Sequence, residues 1–249
     1  MTSLPSFAPA SNVAIIGANG GIGAAVLNLL SEDERVAHIY AFSRSGSIGN
    51  NPDTPKVRAG IIDLEDESSI AMAAASIPEA PLDLVLVTSD ILWEGQLRPE
   101  KALREISVEG LTKLFAVNAA GPILVAKHFL PKLRKGQKTV FAALSARVGS
   151  ISDNRLGGWY AYRASKAVLN MLLRTSAIEH ARHRPLSVIA GLHPGTVSTG
   201  LSGPYTSRTP ARQLFSPEES AGYLLKVVDG LRPEDSGNTF AWDGSRIEF

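Results

Sequence analysis

The amino-acid sequence predicts an α/β fold: one doubly wound sheet of about seven mainly parallel strands, with helices on both faces. Two observations lead to this prediction. Short apolar segments alternate with helical stretches along the whole chain. Most of these apolar segments also lack the alternation of apolar and polar positions that a half-exposed strand shows. Because one winding runs through all 249 residues, we predict a single domain over residues 1–249.

The first half of the chain alternates strands and helices from its beginning. An apolar run at 13–16 ends at Gly17, which indicates a buried strand, and a helical pattern follows at 22–30. The same reasoning predicts strands at 36–42, 57–62 and 82–87, and a helix at 65–77 that ends before Pro78.

The second half continues the pattern. Helical stretches are predicted from Pro99 and at 108–130, 160–183 and 218–230, and strands at 139–144, 186–192 and 239–242. Pro217 suits the first position of the helix at 218–230. Residues 197–216 show no periodicity and contain several glycines and prolines, so we expect them to form a flap over a substrate site.

The composition excludes several classes of function. The chain has no cysteine, which rules out disulfides and cysteine nucleophiles, and its five histidines are not grouped as metal ligands would be. Its formal net charge is +1, which favours neither nucleic acid nor an anionic membrane. The N-terminal residues do not resemble a signal peptide, and no apolar stretch approaches the ~18 residues of a membrane span. We therefore expect a cytoplasmic protein without a metal and without a nucleic-acid or membrane partner.

A glycine-rich turn joins the first predicted strand to the first helix. Glycines at such a turn let the backbone approach a phosphate, and the free N–H groups of the following helix favour an anion. The alternative is a tight turn with no ligand. The position after the first strand favours a Rossmann-type dinucleotide site formed by Gly17, Asn19, Gly20, Gly21, Ile22 and Gly23.

A second motif pairs a tyrosine with a lysine. Tyr162 and Lys166 are four residues apart on a predicted helix, so they share a face. A nearby ammonium lowers the pKa of a phenol, which is otherwise near ~10, and brings it closer to the range of a general acid or base. The alternative is a chance pair on a surface helix. Because the carboxyl ends of the strands line one edge of such a sheet, we expect this pair to meet the glycine turn there.

Together with Asp63, Asn118 and the segment 194–199, these motifs resemble the short-chain dehydrogenase/reductase family over nearly the whole chain. Segments 149–166 and 240–244 resemble a narrower group, the C-factor and sniffer-like carbonyl reductases. The resemblance implies hydride transfer between a nicotinamide cofactor and a small carbonyl or alcohol substrate. It also implies a homodimer or homotetramer, and the apolar surplus on the helices at 108–130 and 160–183 is consistent with a subunit interface.

The resemblance also implies roles for individual residues. Tyr162 exchanges the proton with the substrate, Lys166 holds the ribose and lowers the tyrosine pKa, and Asn118 anchors a water relay. Further cofactor contacts are implied at Asp63, Leu64, Thr88, Ser89, Pro194, Gly195, Thr196, Val197 and Thr199. Asn118 has the alternative of an ordinary polar residue in a helix, and Asp63 that of a carboxylate near a helix start.

Two departures from the family pattern are visible. Where the family has Asn-Asn-Ala-Gly after its fourth strand, this chain has Val87-Thr88-Ser89-Asp90, with an acid in place of the glycine. Asp90 either repels phosphate or faces solvent. Where the family has Ser-Ser after the fifth strand, this chain has Ser145-Ala146. We take Ser145 as the catalytic serine, with Ser150 as the alternative.

The residues after the second strand indicate the cofactor. A carboxylate there binds the 2′-hydroxyl of NAD, whereas an arginine attracts the 2′-phosphate of NADP. This chain has Ser43 and Arg44 at that point and no acid between 39 and 51. We therefore predict a preference for NADP(H), while NAD(H) remains possible if Arg44 lies in solvent.

A second class of function stays open. The departures from the family pattern at Ser145-Ala146 and at Asp90 are compatible with a cofactor-binding regulatory or signalling protein that has little turnover. The intact Tyr162, Lys166 and Asn118 favour the enzyme.

Overall fold

The computed structural model describes residues 4–48, 54–78, 81–202 and 214–249. Its strands are β1 (Ser11–Ile16), β2 (Val36–Ser43), β3 (Val57–Ile61), β4 (Leu84–Val87), β5 (Thr139–Leu144), β6 (Ser187–His193), β7 (Thr196–Val197), β8 (Leu214–Phe215), β9 (Thr239–Ala241) and β10 (Arg246–Ile247). Its helices are α1 (Gly21–Ser31), α2 (Glu67–Ser76), α3 (Val108–Phe115), α4 (Gly121–Phe129), α5 (Tyr160–Ala181) and α6 (Pro217–Gly230).

One sheet organises the molecule. Its eight strands lie in the order β3-β2-β1-β4-β5-β6-β9-β10, and every neighbouring pair is parallel except β9 and β10. The predicted doubly wound, mainly parallel sheet is therefore confirmed. The antiparallel strand β10, which the sequence reasoning did not include, raises the number of strands to eight.

The two faces of the sheet are buried under different helices. Val13 and Ile15 of β1 pack with residues of α1 and α6 on one face. Their neighbours Ala14 and Ile16 pack with residues of α2, α4 and α5 on the other. Successive side chains of a strand point to opposite faces, so a strand buried on both sides must be apolar at every position. This is the physical origin of the unbroken apolar segments in the sequence.

Most predicted elements are confirmed to within two residues at each end. Helix α6 begins as expected with Pro217 at its first position, and Ser216 and Glu219 cap it reciprocally. The helical stretch predicted from Pro99 is wrong: that region contains only a short 3-10 turn at Leu103–Glu105. The backbone of this region instead bonds to the start of α5, where Trp159 N–H donates to Glu100 O, so it does not form a continuous helix.

The predicted helix at 108–130 is interrupted in its middle. A π-helical turn at Ala116–Ala120 separates α3 from α4 and contains the fully buried Asn118. Such turns insert an extra residue into a helix and often lie at functional sites, because they redirect a side chain. Asn118 therefore occupies a special backbone position and not an ordinary helical one.

The stretch Val108–Lys132, which contains these two helices, is long and apolar enough to cross a membrane by length and composition alone. Half of its most apolar window is buried within the protein. Core helices meet the same criterion, so the stretch does not by itself indicate a membrane span.

Both ends of the predicted flap at 197–216 are anchored. The short strands β7 and β8 pair in parallel, and Phe215 of β8 packs edge-on against Trp242 with a centroid distance of 4.7 Å. Residues 203–213 lie outside the described residues, so the flap itself stays a prediction.

Candidate active site

Two neighbouring cavities open at the carboxyl ends of the parallel strands. The turn cavity, of about 440 Å³, is lined by the glycine turn and by residues that follow β2, β3 and β4. The tyrosine cavity, of about 510 Å³, is lined by residues that follow β5 and β6 and by the first turn of α5. Gly20, Thr88 and Asp90 line both cavities, so an elongated ligand can run from one into the other. This edge is where doubly wound sheets bind ligands.

The glycine turn leaves room for a ligand to contact backbone. Gly17 has a φ of +91°, which disfavours other residues, and a Cβ there would lie 2.5 Å from Ser89 Oγ. A Cβ on Gly23 would collide with Gly17 O, so the lack of a side chain at Gly23 allows α1 to approach the turn closely. Within the described residues, no side chain caps the N-terminus of α1. The residues present therefore fit an anionic group such as a dinucleotide pyrophosphate.

The turn cavity brings together most of the residues predicted for the adenosine half of a cofactor. Ser43, Arg44, Asp63, Leu64, Thr88 and Ser89 all line it. Some of them also serve the local fold. The Ser43 hydroxyl donates to Ser47 O at 2.7 Å, and Asp63 Oδ1 accepts the Glu65 N–H at 3.0 Å. The Asp63 carboxylate thus stabilises a turn before α2 and lies in the cavity wall, and its contact with a cofactor stays a prediction.

Arg44 has a partner that the sequence did not indicate. Its guanidinium lies 3.6 Å from Glu94 Oε1, and the Arg44 side chain is 72% exposed. Glu94 also pairs with Lys113 at 2.8 Å, and the Lys113 ammonium lowers the pKa of the Glu94 carboxyl. The absence of acids near Arg44 in the sequence therefore does not mean that its surroundings lack a carboxylate. Glu94 lies in the loop after β4 and belongs to no sequence motif, so its pairing with Arg44 could not be predicted from the sequence.

The tyrosine cavity is mainly apolar on the side where a substrate would lie. Its wall contains Leu92, Ala146, Val148, Trp159 and Leu201. The segment predicted to wrap a nicotinamide also lines it, with Pro194, Gly195, Thr196, Val197 and Thr199. An apolar wall of this kind excludes water and suits an organic substrate.

Tyr162 and Lys166 meet as predicted, but Asp90 lies between their polar atoms. The Tyr162 hydroxyl donates to Asp90 Oδ2 at 2.7 Å, and Lys166 Nζ lies 3.0 Å from Asp90 Oδ1. Lys166 Nζ also donates to Leu144 O at 2.8 Å. The Asp90 side chain is only 11% exposed, so the possibility that it faces solvent is wrong.

The charges of this cluster correct one expectation. We expected Lys166 to lower the tyrosine pKa. Instead, burial raises the pKa of Tyr162 well above 10.0, and the adjacent Asp90 carboxylate raises it further. The same burial raises the pKa of Asp90, although the Lys166 ammonium opposes that effect. The carboxylate thus separates the phenol from the ammonium that was expected to activate it.

Asn118 bonds the loop that follows β4, directly after Asp90. Its side-chain oxygen accepts the Ile91 N–H at 2.9 Å, and its amide nitrogen donates to Ile91 O at 2.7 Å. A weaker contact of 3.3 Å joins the amide nitrogen to Ser165 Oγ, whose own hydroxyl donates to Tyr162 O. Asn118 therefore fixes the backbone directly after Asp90, and its expected role as the anchor of a water relay stays a prediction.

Neither serine proposed from the sequence contacts Tyr162. The Ser145 hydroxyl, which is 2% exposed, donates to Asn170 Oδ1 at 2.7 Å, and Asn170 also accepts from Thr239 Oγ1 at 3.1 Å. Ser150 hydrogen-bonds within its own loop, where its Oγ accepts the Asp153 N–H. A buried polar cluster thus takes up the Ser145 hydroxyl. We expected Ser145 to reach the Tyr162 hydroxyl or a bound substrate oxygen, directly or through one water, and its role as the catalytic serine stays a prediction. Ser145 and Ala146 both line the tyrosine cavity, and Ala146 has no hydroxyl.

The tyrosine cavity also contains a histidine that the sequence reasoning did not select. His193 ends β6, and burial together with the nearby Arg147 guanidinium lowers its pKa to about 4. The ring is consequently neutral near pH 7. Its Nδ1 atom is buried without a hydrogen-bond partner among the described residues.

The chain is similar to known proteins in sequence and in fold. Residues 11–209 match the family model described as short chain dehydrogenase. C-signal of Myxococcus xanthus is 34% identical over 178 residues, which cover 71% of this chain and 98% of that protein. The NADPH-bound carbonyl reductase from chicken fatty liver superposes with a TM-score of 0.83 at 25% identity, covering 97% of this chain and 95% of that one. The carbonyl reductase Sniffer of D. melanogaster shares the fold, with a TM-score of 0.82, 20% identity and coverage of 97% and 100%.

Proposed function

The chain belongs to the short-chain dehydrogenase family, and on that premise we propose that it is an NADP(H)-dependent oxidoreductase that transfers a hydride between the nicotinamide and a small carbonyl or alcohol. One observation carries the proposal. The turn cavity and the tyrosine cavity share Gly20, Thr88 and Asp90, so a dinucleotide seated on the glycine turn would bring its reactive end toward the Tyr162 hydroxyl.

The residues of the turn cavity fit this cofactor. The backbone of the glycine turn would hold the pyrophosphate, and Arg44 would bind the 2′-phosphate with its planar guanidinium. Leu64 would pack on the adenine, and residues 194–199 would hold the nicotinamide amide. The NADPH carried by the chicken reductase supports the preference for NADP(H), and NAD(H) is the weaker alternative. When bound, the reduced nicotinamide supplies the hydride.

The residues of the tyrosine cavity fit a carbonyl substrate. The apolar wall around Leu92, Val148 and Trp159 would hold the carbon skeleton and exclude water. Tyr162 would give its hydroxyl proton to the carbonyl oxygen, which stabilises the charge that develops there. A carbonyl that lies against Tyr162 also lies beside Ala146, so no second hydroxyl is available from that position. Tyr162 would therefore provide most of the stabilisation of the charge that develops on the carbonyl oxygen.

A second candidate is a cofactor-binding protein with a regulatory or signalling role and little turnover. The relative named C-signal and the hydrogen bond that directs the Ser145 hydroxyl to Asn170 both support it. The two candidates share the cofactor site and differ in turnover. Binding of NADPH without consumption would favour this second candidate.

The discriminating experiment follows NADPH and NADH consumption with a panel of ketones, aldehydes and quinones. Cofactor affinity is titrated in parallel, without substrate, so that binding and turnover are separated. Tyr162→Phe is the matched control, because it removes the hydroxyl and keeps the ring. We expect consumption with at least one carbonyl by the wild type and cofactor binding by both proteins. Tight cofactor binding without consumption across the panel would reject the enzyme.

A further inference from the structure

We infer that Asp90 is a further catalytic residue, the proton reservoir that supplies Tyr162 during carbonyl reduction. The inference rests on the proposed function and deepens it. The two carboxyl oxygens of Asp90 contact different groups. Oδ2 accepts a hydrogen bond from the Tyr162 hydroxyl at 2.7 Å, and Oδ1 lies 3.0 Å from the Lys166 ammonium nitrogen. The carboxyl thus touches the proton that the reaction moves, and it has a fixed positive charge on its other side.

The backbone around Asp90 is held in place from both directions. On the strand side, Thr88 N–H and the Thr88 hydroxyl both donate to Ile16 O, at 2.7 and 2.9 Å. On the loop side, the Asn118 amide bonds both the N–H and the C=O of Ile91. The carboxyl is therefore positioned by the fold, as a proton carrier must be, and does not belong to a freely moving surface loop.

Two polar side chains contact the Asp90 carboxyl, and both come from α5: Tyr162 donates its hydroxyl hydrogen to it, and the Lys166 ammonium pairs with it. The uncharged groups nearby bond to other atoms, since the Leu144 carbonyl of β5 accepts from Lys166 and the Asn118 amide of the π turn bonds the backbone of Ile91. His193 and Arg147 line the same cavity but form no hydrogen bond with Asp90 in the part of the chain that the structure describes. Burial raises the pKa of the Asp90 carboxyl, so it retains a proton at higher pH than an exposed aspartate does.

The proton balance of the reduction is then complete. The substrate carbon receives the hydride as the Tyr162 O–H bond breaks and the alcohol O–H bond forms. The phenolate oxygen of Tyr162 takes the proton from Asp90 Oδ2, so one O–H bond breaks on the carboxyl and one forms on the phenol. The remaining carboxylate is stabilised by the Lys166 ammonium and regains a proton from solvent. Oxidation of an alcohol runs through the same steps in reverse.

Asp90→Asn tests this role, because it keeps the shape and removes the ionisable proton. We expect reduction to slow by about 10²-fold, the scale of a lost acid–base group, while NADPH affinity changes by no more than a few-fold. The pH profile of kcat/KM for reduction should also lose the ionisation that the wild type shows above the usual range of an aspartate. His193→Gln should keep that ionisation. Glu109→Gln, which removes an exposed carboxylate on α3, is the control for a general change in charge.

A second readout needs no turnover. Absorbance titration of the tyrosines in the unliganded protein, with Tyr162→Phe as reference, isolates the ionisation of Tyr162. Removal of the carboxylate should lower the pKa of Tyr162, because the buried phenol then faces Lys166 alone. If Asp90→Asn does not fold, the infrared band of the protonated carboxyl in the wild type and in Tyr162→Phe replaces this titration. The band should persist to higher pH in Tyr162→Phe, since that variant loses the hydrogen bond that favours the carboxylate.

Two results would overturn the inference. The first is an Asp90→Asn enzyme that turns over within a few-fold of the wild type and binds NADPH more tightly, which would make Asp90 an obstruction and not a catalyst. The second is a tyrosine or carboxyl titration that the substitutions leave unchanged. An inactive wild type whose Tyr162 titration responds to Asp90→Asn would instead reject the proposed function and leave the coupling of the two residues intact.

Discussion

Ser145 donates its hydroxyl hydrogen to Asn170 Oδ1 at 2.7 Å, within a buried cluster that Thr239 completes. The serine therefore satisfies a buried amide oxygen while it lines the tyrosine cavity. In this position a hydroxyl contributes to stability, because its removal leaves the Asn170 oxygen with one donor fewer.

The first prediction concerns this serine. Ser145→Ala should lower the free energy of unfolding by about 1–3 kcal/mol and leave turnover within a few-fold of the wild type. Urea unfolding and NADPH consumption measure the two effects separately. Ala146→Ser is the matched variant, because it introduces a hydroxyl at the cavity wall. A 10²-fold loss of turnover in Ser145→Ala without a loss of stability would restore Ser145 as a catalytic residue.

The second prediction concerns the cofactor. Arg44→Ala should weaken NADPH binding by about ten- to a hundredfold, the value of a charge-assisted contact of ~1.5–3 kcal/mol, and should affect NADH little. Glu94→Gln should act in the opposite direction for NADPH, because it removes a carboxylate that competes with phosphate for Arg44. Fluorescence titration with both reduced cofactors measures each affinity.

Arg58→Ala serves as the control for this series. It removes one positive charge from the neighbouring strand β3, where the guanidinium lies over the Tyr40 ring, outside the turn cavity. Equal losses for the two cofactors in Arg44→Ala, or an equal loss in Arg58→Ala, would contradict the assignment of Arg44 to the 2′-phosphate.

The sequence predicted the sheet well because its signal is local. Val13 to Ile16 are apolar at every position, and burial on both faces demands this of a central parallel strand. The short strand β10 escaped detection because two residues carry no period. The stretch from Pro99 shows the opposite error. Its composition suits a helix, so a helix was predicted, but its backbone bonds to distant parts of the chain, such as Glu100 O with Trp159 N–H.

The site was predicted less completely because its contacts are distant in sequence. The glycine turn, Tyr162 and Lys166 form motifs, and they were selected correctly as residues of one edge. The direction of the Asp90 side chain depends on α5, 72 residues away from it at Tyr162, and the Glu94 partner of Arg44 comes from a different loop. The partner of Ser145 was not predictable either, because Asn170 lies 25 residues further along the chain and no local pattern indicates it.

The third prediction concerns stability at acid pH. An unfolded chain protonates His193 near its ordinary value of 6.5, whereas the folded protein does so only near 4. Between these pH values the unfolded state binds more protons, so the free energy of unfolding falls as the pH decreases from 6.5 to 4. Chemical denaturation across this range should show a flatter dependence for His193→Gln than for the wild type. Parallel curves for the two proteins would contradict the buried, neutral ring.

The fourth prediction concerns assembly. Val168, Met171 and Ile178 lie on one face of α5, and all three are exposed in the single chain. We expect a homodimer or homotetramer that covers this face. Met171→Glu should then shift the mass measured by light scattering toward the monomer. Met72→Glu, an equally exposed methionine on α2, should not. A wild type that is monomeric at micromolar concentration would reject the interface.

The fate of a deuterium label tests the proposed reaction most directly. NADPH that carries deuterium at the transferred position is incubated with the enzyme and a carbonyl compound that the panel identifies as a substrate, and the alcohol is analysed by mass spectrometry. We predict one deuterium on the former carbonyl carbon, and a rate that falls by about 10²-fold or more in Tyr162→Phe, which still binds the cofactor. An alcohol without the label, or a Tyr162→Phe variant as fast as the wild type, would contradict hydride transfer with Tyr162 as the proton donor.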